Sequence, residues 1–185
     1  MKTTSSTWNS DHFTNADQEF ARQVQAGRTA ILSWLAGRRR SSGRIAERLR
    51  VLEYTDEVIK EVVSTLTEDG YIDDERMARA VLKQYNGRRA EAVRKTAERL
   101  SRMGIHQGAI QSVLEEQDDL ELAVTLLKTH LDSFHADLND QGEVPAEKRE
   151  KMLVKAYRHL ASRGFNRATI FQAFARCSLR IDMDC

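Results

Sequence analysis

The sequence predicts an all-α protein made of three tandem repeats, each containing three short helices. Its 185 residues are rich in helix formers such as Ala, Leu, Arg and Glu and include a single proline. One helical phrase also recurs: LSRMGIHQGAI begins at Leu100, LASRGFNRATI at Leu160, and a fainter copy, LRVLEYTDEVI, at Leu49. Self-similarity of this kind is typical of repeat architectures.

The three copies of this phrase agree position by position. Five residues after each leucine comes a large apolar residue and ten residues after it an isoleucine: Tyr54 and Ile59, Ile105 and Ile110, Phe165 and Ile170. Apolar residues at helical spacing on both sides of the break predict two helices joined by a short turn. Gly104 and Gly164 at the turn predict a left-handed helix end, whereas Glu53 at the matching place predicts a less ideal turn.

Helix starts and repeat boundaries follow from the same alignment. Thr55 and Asn166 are predicted N-caps of the helices after the turns, and His106 is predicted to be a poor one. A third stripe of apolar residues precedes each of these pairs of helices. Each repeat is therefore predicted to contain three helices. The predicted divisions are a variable N-terminal segment at 1–27, repeat 1 at 28–70, repeat 2 at 71–117, and repeat 3 at 118–180 with an internal loop at about 136–146.

The bulk composition excludes several classes of protein. No apolar run approaches the roughly 20 residues of a membrane-spanning helix, and the first residues lack the apolar core of a signal peptide. A cytoplasmic location and no contact with membrane are therefore expected. Cys177 and Cys185 have no metal or disulfide spacing, and Cys177 falls on an apolar helix face, which favours a buried thiol.

The charge of the chain is banded, although its formal net value is only +1. Successive segments carry +7 over 21–50, −7 over 51–76, +6 over 77–106, −9 over 107–147 and +8 over 148–180. A protein that binds bare DNA is usually more basic overall. The banding favours a partner that offers both phosphates and protein surface.

The basic residues gather around the middle helix of each repeat. Arginine predominates, which suits two-point contact with phosphate or carboxylate. Solvated helix faces paired with acidic neighbours are the alternative, but recurrence in three copies favours a binding surface. Trp34 and Tyr85 could stack on bases, although their helical spacing predicts burial. The candidate partner-binding residues are Arg38, Arg39, Arg40, Arg44, Arg48, Arg88, Arg89, Arg94, Lys95, Lys151, Lys155, Arg158 and Arg163.

No catalytic constellation is found in the sequence. The phosphate-binding, dinucleotide-binding, zinc-protease and nucleophile-elbow motifs are all missing. The histidines show no metal spacing, and the acidic clusters coincide with predicted helix starts, where carboxylates are ordinary. We therefore expect a protein that is not an enzyme and binds neither cofactor nor metal.

Several segments together resemble one known family. The opening ILSWLAGRRRS, the linker GYIDDERMARA and the closing YRHLASRGFNRATI look like bacterial RecX, the regulatory protein of the RecA recombinase. The resemblance covers about residues 28–177. One departure is clear: members usually carry Ser-x-x-Glu-Leu after the arginines, whereas here Ser41 is followed by Arg44 and Ile45, so the capping box loses its acidic half.

The resemblance implies an elongated, curved array of three tandem three-helix repeats. It also implies binding to the RecA–single-stranded-DNA filament and inhibition of its ATPase, coprotease and strand-exchange activities, which regulates DNA repair, recombination and the SOS response. No cofactor is implied, and we expect a monomer. Bare single-stranded DNA, and duplex DNA, are the weaker expected partners.

Two other classes of function stay open at the level of sequence. One is a stand-alone helical DNA-binding protein, architectural or transcriptional, which should hold bare DNA tightly and lose affinity steeply as salt rises. The other is a protein adaptor, whose binding should not change when DNA is removed.

Overall fold

The structure is a computed structural model that describes residues 15–35, 37–137 and 146–177, and within those ranges it contains helices and no strand. The prediction of an all-α fold is therefore confirmed. The helices are α1 (Asn15–Leu35), α2 (Ser42–Val51), α3 (Asp56–Glu68), α4 (Asp74–Gln84), α5 (Val93–Arg102), α6 (Gln107–Leu114), α7 (Asp119–Asp137), α8 (Ala146–Ser162) and α9 (Arg167–Arg176), with a short 3-10 turn at Gly87–Arg89.

The chain divides into two compact units at Asp73 and Asp74. The first contains α1 to α3 and the second contains α4 to α9. Helix α1 begins at Asn15, so residues 15–27 of the predicted variable segment 1–27 are helical. Residues 138–145 of the predicted loop lie outside the described residues, and its ends are the last turn of α7 and the first residue of α8.

The first unit is built around a single apolar cluster. Its buried members come from α1, α2, α3 and the turn after α3. Gly27 of α1 lies against this cluster, where an added Cβ would stand 3.2 Å from Cγ2 of Val62. The lack of a side chain there lets α1 approach α3 closely. The cluster comprises Ile31, Leu35, Ile45, Leu49, Val58, Ile59, Val62, Leu66 and Ile72.

The second unit contains two apolar clusters. One is formed by α4, α5 and the α5–α6 turn with α6, and includes the fully buried Leu100. The other is formed by α7, α8 and α9, and also takes in Ala90 and Ala92 from the segment before α5. Clusters that each gather three helices are compatible with three repeats, and the elongated, curved shape stays a prediction.

The repeated phrase is explained by the way in which α5 ends. The amide of Ile105 donates to the carbonyl of Leu100 at 3.2 Å, and the amide of Gly104 donates to the carbonyl of Ser101 at 2.9 Å. This pair of bonds is the Schellman motif, which needs a left-handed residue before an apolar one. Gly104 has φ 77° and Ile105 is buried, so the leucine and the apolar residue five places later pack together.

The same bonds close α2 and α8. Tyr54 donates to the Leu49 carbonyl at 3.2 Å, and Phe165 donates to the Leu160 carbonyl at 3.4 Å. Both leucines are buried, as Leu100 is. The phrase therefore encodes a buried leucine, a left-handed turn and an apolar residue that covers the helix end.

The helices after these turns are capped by side chains. As predicted, Thr55 accepts a hydrogen bond from the amide of Val58 at 3.5 Å, and Asn166 accepts one from Thr169 at 2.8 Å. The prediction for His106 was wrong, because its Nδ1 accepts a hydrogen bond from the amide of Gly108 at 3.1 Å. The absent side chain at position 108 leaves room for this contact, since a Cβ there would lie 3.2 Å from that nitrogen.

Replacing Glu53 with glycine is expected to stabilise the first unit by up to about 1 kcal/mol. Glu53 has φ 64°, and an L-residue in the left-handed region costs roughly 1–2 kcal/mol, partly offset by the greater chain entropy of unfolded glycine. The reverse change, Gly104→Ala, should destabilise because position 104 has φ 77°. Urea denaturation of both variants checks this, and a destabilised Glu53→Gly protein would contradict it.

Candidate partner-binding surfaces

The first basic surface lies in unit one, on the α1–α2 loop and α2. Arg38, Arg39 and Arg44 are exposed, and Arg44 forms an ion pair with Glu47 at 2.7 Å. Gly37 lies in this loop with φ 78°, in the left-handed region, and Arg38 and Arg39 follow it directly. Two of the predicted side chains thus point to solvent at the loop itself.

Arg40 and Arg48 are half-buried instead. The guanidinium of Arg40 lies over the ring of Trp34, 4.8 Å from its centroid. The Nε atoms of both arginines are buried, and neither has a hydrogen-bond partner among the described residues. Trp34 packs against the first unit's apolar cluster, as its spacing predicted.

The second basic surface belongs to unit two and comprises the 3-10 turn before α5 and the first turn of α5. Arg88 and Arg89 are exposed on the 3-10 turn, which Asn86 caps by accepting from the Gly87 amide at 2.7 Å. Arg94 is exposed on the first turn of α5 and is paired with Glu98, one helical turn away. These three side chains are available to a partner.

Lys95 was predicted in the same group but plays a structural part. Its Nζ donates to the carbonyl of Ser162 at 2.8 Å and lies 3.6 Å from the carboxylate of Glu91. A Cβ added at Gly164 would lie 3.1 Å from the Cβ of Lys95, so the two residues are close together. Lys95 thus joins α5 to the α8–α9 turn.

A buried ion pair lies beside Lys95, and the sequence did not indicate it. Glu91 is 4% exposed, and the guanidinium of Arg99 donates to both of its carboxylate oxygens at 2.9 Å. Arg99 also covers the ring of Tyr85, 4.1 Å from the centroid. Sequence spacing could not reveal this pair, because Glu91 precedes α5 and reaches Arg99 only when the chain folds.

Replacing Arg99 with alanine is expected to destabilise unit two by about 2 kcal/mol. Loss of one partner of a buried pair costs about 3–5 kcal/mol, but Arg99 is partly exposed and Lys95 remains beside Glu91, so we expect less. Arg94→Ala is the control, since its exposed pair contributes about 0.3–0.5 kcal/mol. Equal losses in thermal melts of the two variants would show that burial of Glu91 carries no energetic weight.

The third basic surface lies on α8. Lys151, Lys155 and Arg158 are exposed and recur at the spacing of one helix face, with Lys151 paired to Glu147 at 2.6 Å. Arg163 is half-buried after α8, and its carbonyl accepts a hydrogen bond from the amide of Ala92 at 3.0 Å.

His159, near the end of α8, is shifted towards its neutral form. Burial lowers the pKa of His159, and the nearby charge of Arg163 lowers it further. The basic character of this helix therefore rests on its lysines and arginines.

The described residues contain no group of three or more His, Cys, Asp or Glu side chains arranged to hold a metal ion. Over the same ranges, no helix is both long and apolar enough to cross a membrane. The described residues do present three basic surfaces, whose guanidinium and ammonium groups suit phosphate and carboxylate oxygens.

The chain is similar in sequence to proteins named "Regulatory protein RecX", although no protein-family model matches it. One from Streptococcus pyogenes serotype M2 is 27% identical over 124 residues, 66% of this chain and 47% of the relative. One from Streptococcus pneumoniae is 24% identical over 167 residues, 89% of this chain and 60% of the relative. The match thus spans about half the length of the first of these relatives.

Two crystal structures share the fold. RecX from Lactobacillus salivarius superposes with a TM-score of 0.58 at 19% identity, over 85% of this chain and 98% of that one. A second structure of the regulatory protein RecX superposes with a TM-score of 0.56 at 18% identity, over 86% and 75% of the two chains.

Proposed function

The relatives and crystal structures together support the assignment of this chain to the RecX family of regulatory proteins, and from that premise we propose that it restrains the RecA recombinase. In this proposal the protein is a cytoplasmic monomer without enzymatic activity. It binds the RecA–single-stranded-DNA filament and lowers its ATPase, coprotease and strand-exchange activities, and so regulates DNA repair, recombination and the SOS response.

One observation carries the mode of binding: arginine and lysine side chains are exposed around the middle helix of each of three helix groups, α1–α3, α4–α6 and α7–α9. Arg38, Arg88 and Arg158 are examples from the first, second and third basic surfaces. Guanidinium groups bind phosphate oxygens through two parallel hydrogen bonds, and their charge survives at any physiological pH. Repetition of the same chemistry suits a polymeric partner that offers phosphates at intervals.

The net charge favours a nucleoprotein filament over bare DNA as that partner. The chain carries a formal charge of only +1, because acidic segments alternate with the basic ones. Strong acidic bands repel bare DNA but tolerate a partner with basic protein surface beside its phosphates. Weak binding to bare single-stranded DNA and stronger binding to the filament are therefore expected.

The test is a RecA ATPase assay on single-stranded DNA with increasing amounts of this protein. Inhibition at low ratios of protein to RecA indicates capping of filament ends, and inhibition only near saturation indicates binding along the filament. An unchanged ATPase rate at a ratio of one to one would reject the proposed function.

The exposed arginines also favour a second candidate, a stand-alone helical DNA-binding protein. Affinity for bare DNA would then be high. For each phosphate neutralised, it would fall by roughly one logarithmic unit per tenfold rise in salt concentration. Titration of labelled duplex and single-stranded oligonucleotides at two salt concentrations separates the two candidates. Tight, salt-dependent binding without RecA favours the second.

A further inference from the structure

The second helix group, α4–α6, contains an arginine whose anionic partner is supplied by the chain itself. The guanidinium of Arg99 covers the ring of Tyr85, 4.1 Å from its centroid, and donates to the carboxylate of Glu91 at 2.9 Å. The carboxylate is buried, so the protein provides both charges of the site. Tyr85, Glu91 and Arg99 stand fifteen, nine and one residues before Leu100.

The same three positions before Leu49 are occupied by Trp34, Arg40 and Arg48. An aromatic ring and the arginine next to the buried leucine are kept, but a second arginine replaces the carboxylate. Helix α2 ends in the same hydrogen-bonded turn as α5. The stacked cation differs between the two groups, because Arg40 covers Trp34 whereas Arg99 covers Tyr85. The first helix group thus has the cations of this site without its internal anion.

The consequence is visible at the two guanidinium groups. Arg40 rests on Trp34 at 4.8 Å, and the buried Nε of each arginine has no hydrogen-bond partner among the described residues. A buried N–H of a charged group without an acceptor is strongly unfavourable. The nearest acidic residue along α2, Glu47, is already paired with Arg44. An oxyanion from outside the chain could accept the hydrogen bonds that these two Nε–H groups do not make within the described residues.

We propose that Arg40 and Arg48, supported by Trp34, form an oxyanion site that takes a backbone phosphate of single-stranded nucleic acid. A phosphate is favoured over a carboxylate because Arg38 and Arg39 are exposed beside the site and can reach the neighbouring phosphates of one strand. The choice of nucleic acid as the source of the phosphate rests on the proposed function. The site itself follows from α1 and α2.

The test compares two variants with the same change in charge. Arg40→Glu places a carboxylate where the second helix group has Glu91, so the site should be filled from within. Lys60→Glu makes the same charge change at an exposed position of α3 in the same unit. Both are made with Trp8→Phe, which leaves Trp34 as the single tryptophan, because the chain has two.

The readouts are Trp34 fluorescence and oligothymidine affinity, measured without RecA. We expect Arg40→Glu to weaken oligothymidine binding at least tenfold and Lys60→Glu to weaken it less than threefold. Inorganic phosphate should change the Trp34 emission of the parent protein and raise its melting temperature, and neither effect should occur in Arg40→Glu. Circular dichroism should show equal helicity in all three proteins.

Three results would overturn the proposal. Equal loss of affinity in both variants would mean that overall charge, and not this site, binds the strand. Binding of a glutamate-rich peptide but not of oligothymidine would assign the site to an acidic protein surface. No response of Trp34 to any of the three probes would mean that no oxyanion binds there. Because these measurements contain no RecA, a failed ATPase assay rejects the proposed function and leaves this site standing.

Discussion

Leu100→Ala is expected to lower the free energy of unfolding by about 2–5 kcal/mol, the usual range for removal of a buried leucine side chain. Leu100 is completely buried in the α4–α6 cluster. Its carbonyl also receives the hydrogen bond that closes α5. The cavity left by alanine would therefore lie directly beneath the turn that joins α5 to α6.

The measurement is a urea denaturation curve followed by helical circular dichroism. Val154→Ala is the control, since Val154 is 39% exposed on α8 and such changes stay within about 0.5 kcal/mol. A loss at Leu100 no larger than at Val154 would show that the repeated leucine is not a core position.

The second large effect concerns function. Reversing the charge of Arg88, Arg89 and Arg94 together to glutamate should raise the amount of protein needed for half-inhibition of the RecA ATPase at least tenfold. All three side chains are exposed, and none of them enters an apolar cluster. The fold should survive because the buried Glu91–Arg99 pair is untouched.

The control for this reversal changes three exposed lysines outside the predicted surfaces, Lys60, Lys83 and Lys128, to glutamate. The net charge falls by the same amount, so inhibition should change far less than in the arginine variant. Similar losses in both proteins would mean that the filament responds to overall charge. Unaltered inhibition by a folded arginine variant would exclude the second basic surface from the contact.

Much of the fold could be predicted because its signals are local. The leucine, the glycine and the apolar residue five places after the leucine all act within one helix end, so spacing alone reveals the turn. The all-α class follows from the same periodicity. The helical residues from Asn15 were not predicted, since the polar α1 N-terminus carries little apolar pattern.

The surfaces were predicted less completely, because a charge in sequence does not reveal its partner in space. Lys95 and Arg94 are adjacent, yet one is bound to Ser162 and the other faces solvent. Glu91 lies in a basic band of the sequence, and only the folded chain brings it to Arg99. Distances of this kind depend on packing between helices.

The segment before α5 has a consequence for how unit two comes apart. Ala90 and Ala92 belong to the apolar cluster of α7 to α9, the Ala92 amide is held by the Arg163 carbonyl, and the Val93 amide is held by the carboxylate of Asp119 at 2.7 Å. Separation of α7 to α9 from α5 would remove the hydrogen bonds of the Ala92 and Val93 amides. It would also expose the Glu91–Arg99 ion pair to water. Unit two should therefore melt as one cooperative block, with α5 and α9 exchanging their amide protons together.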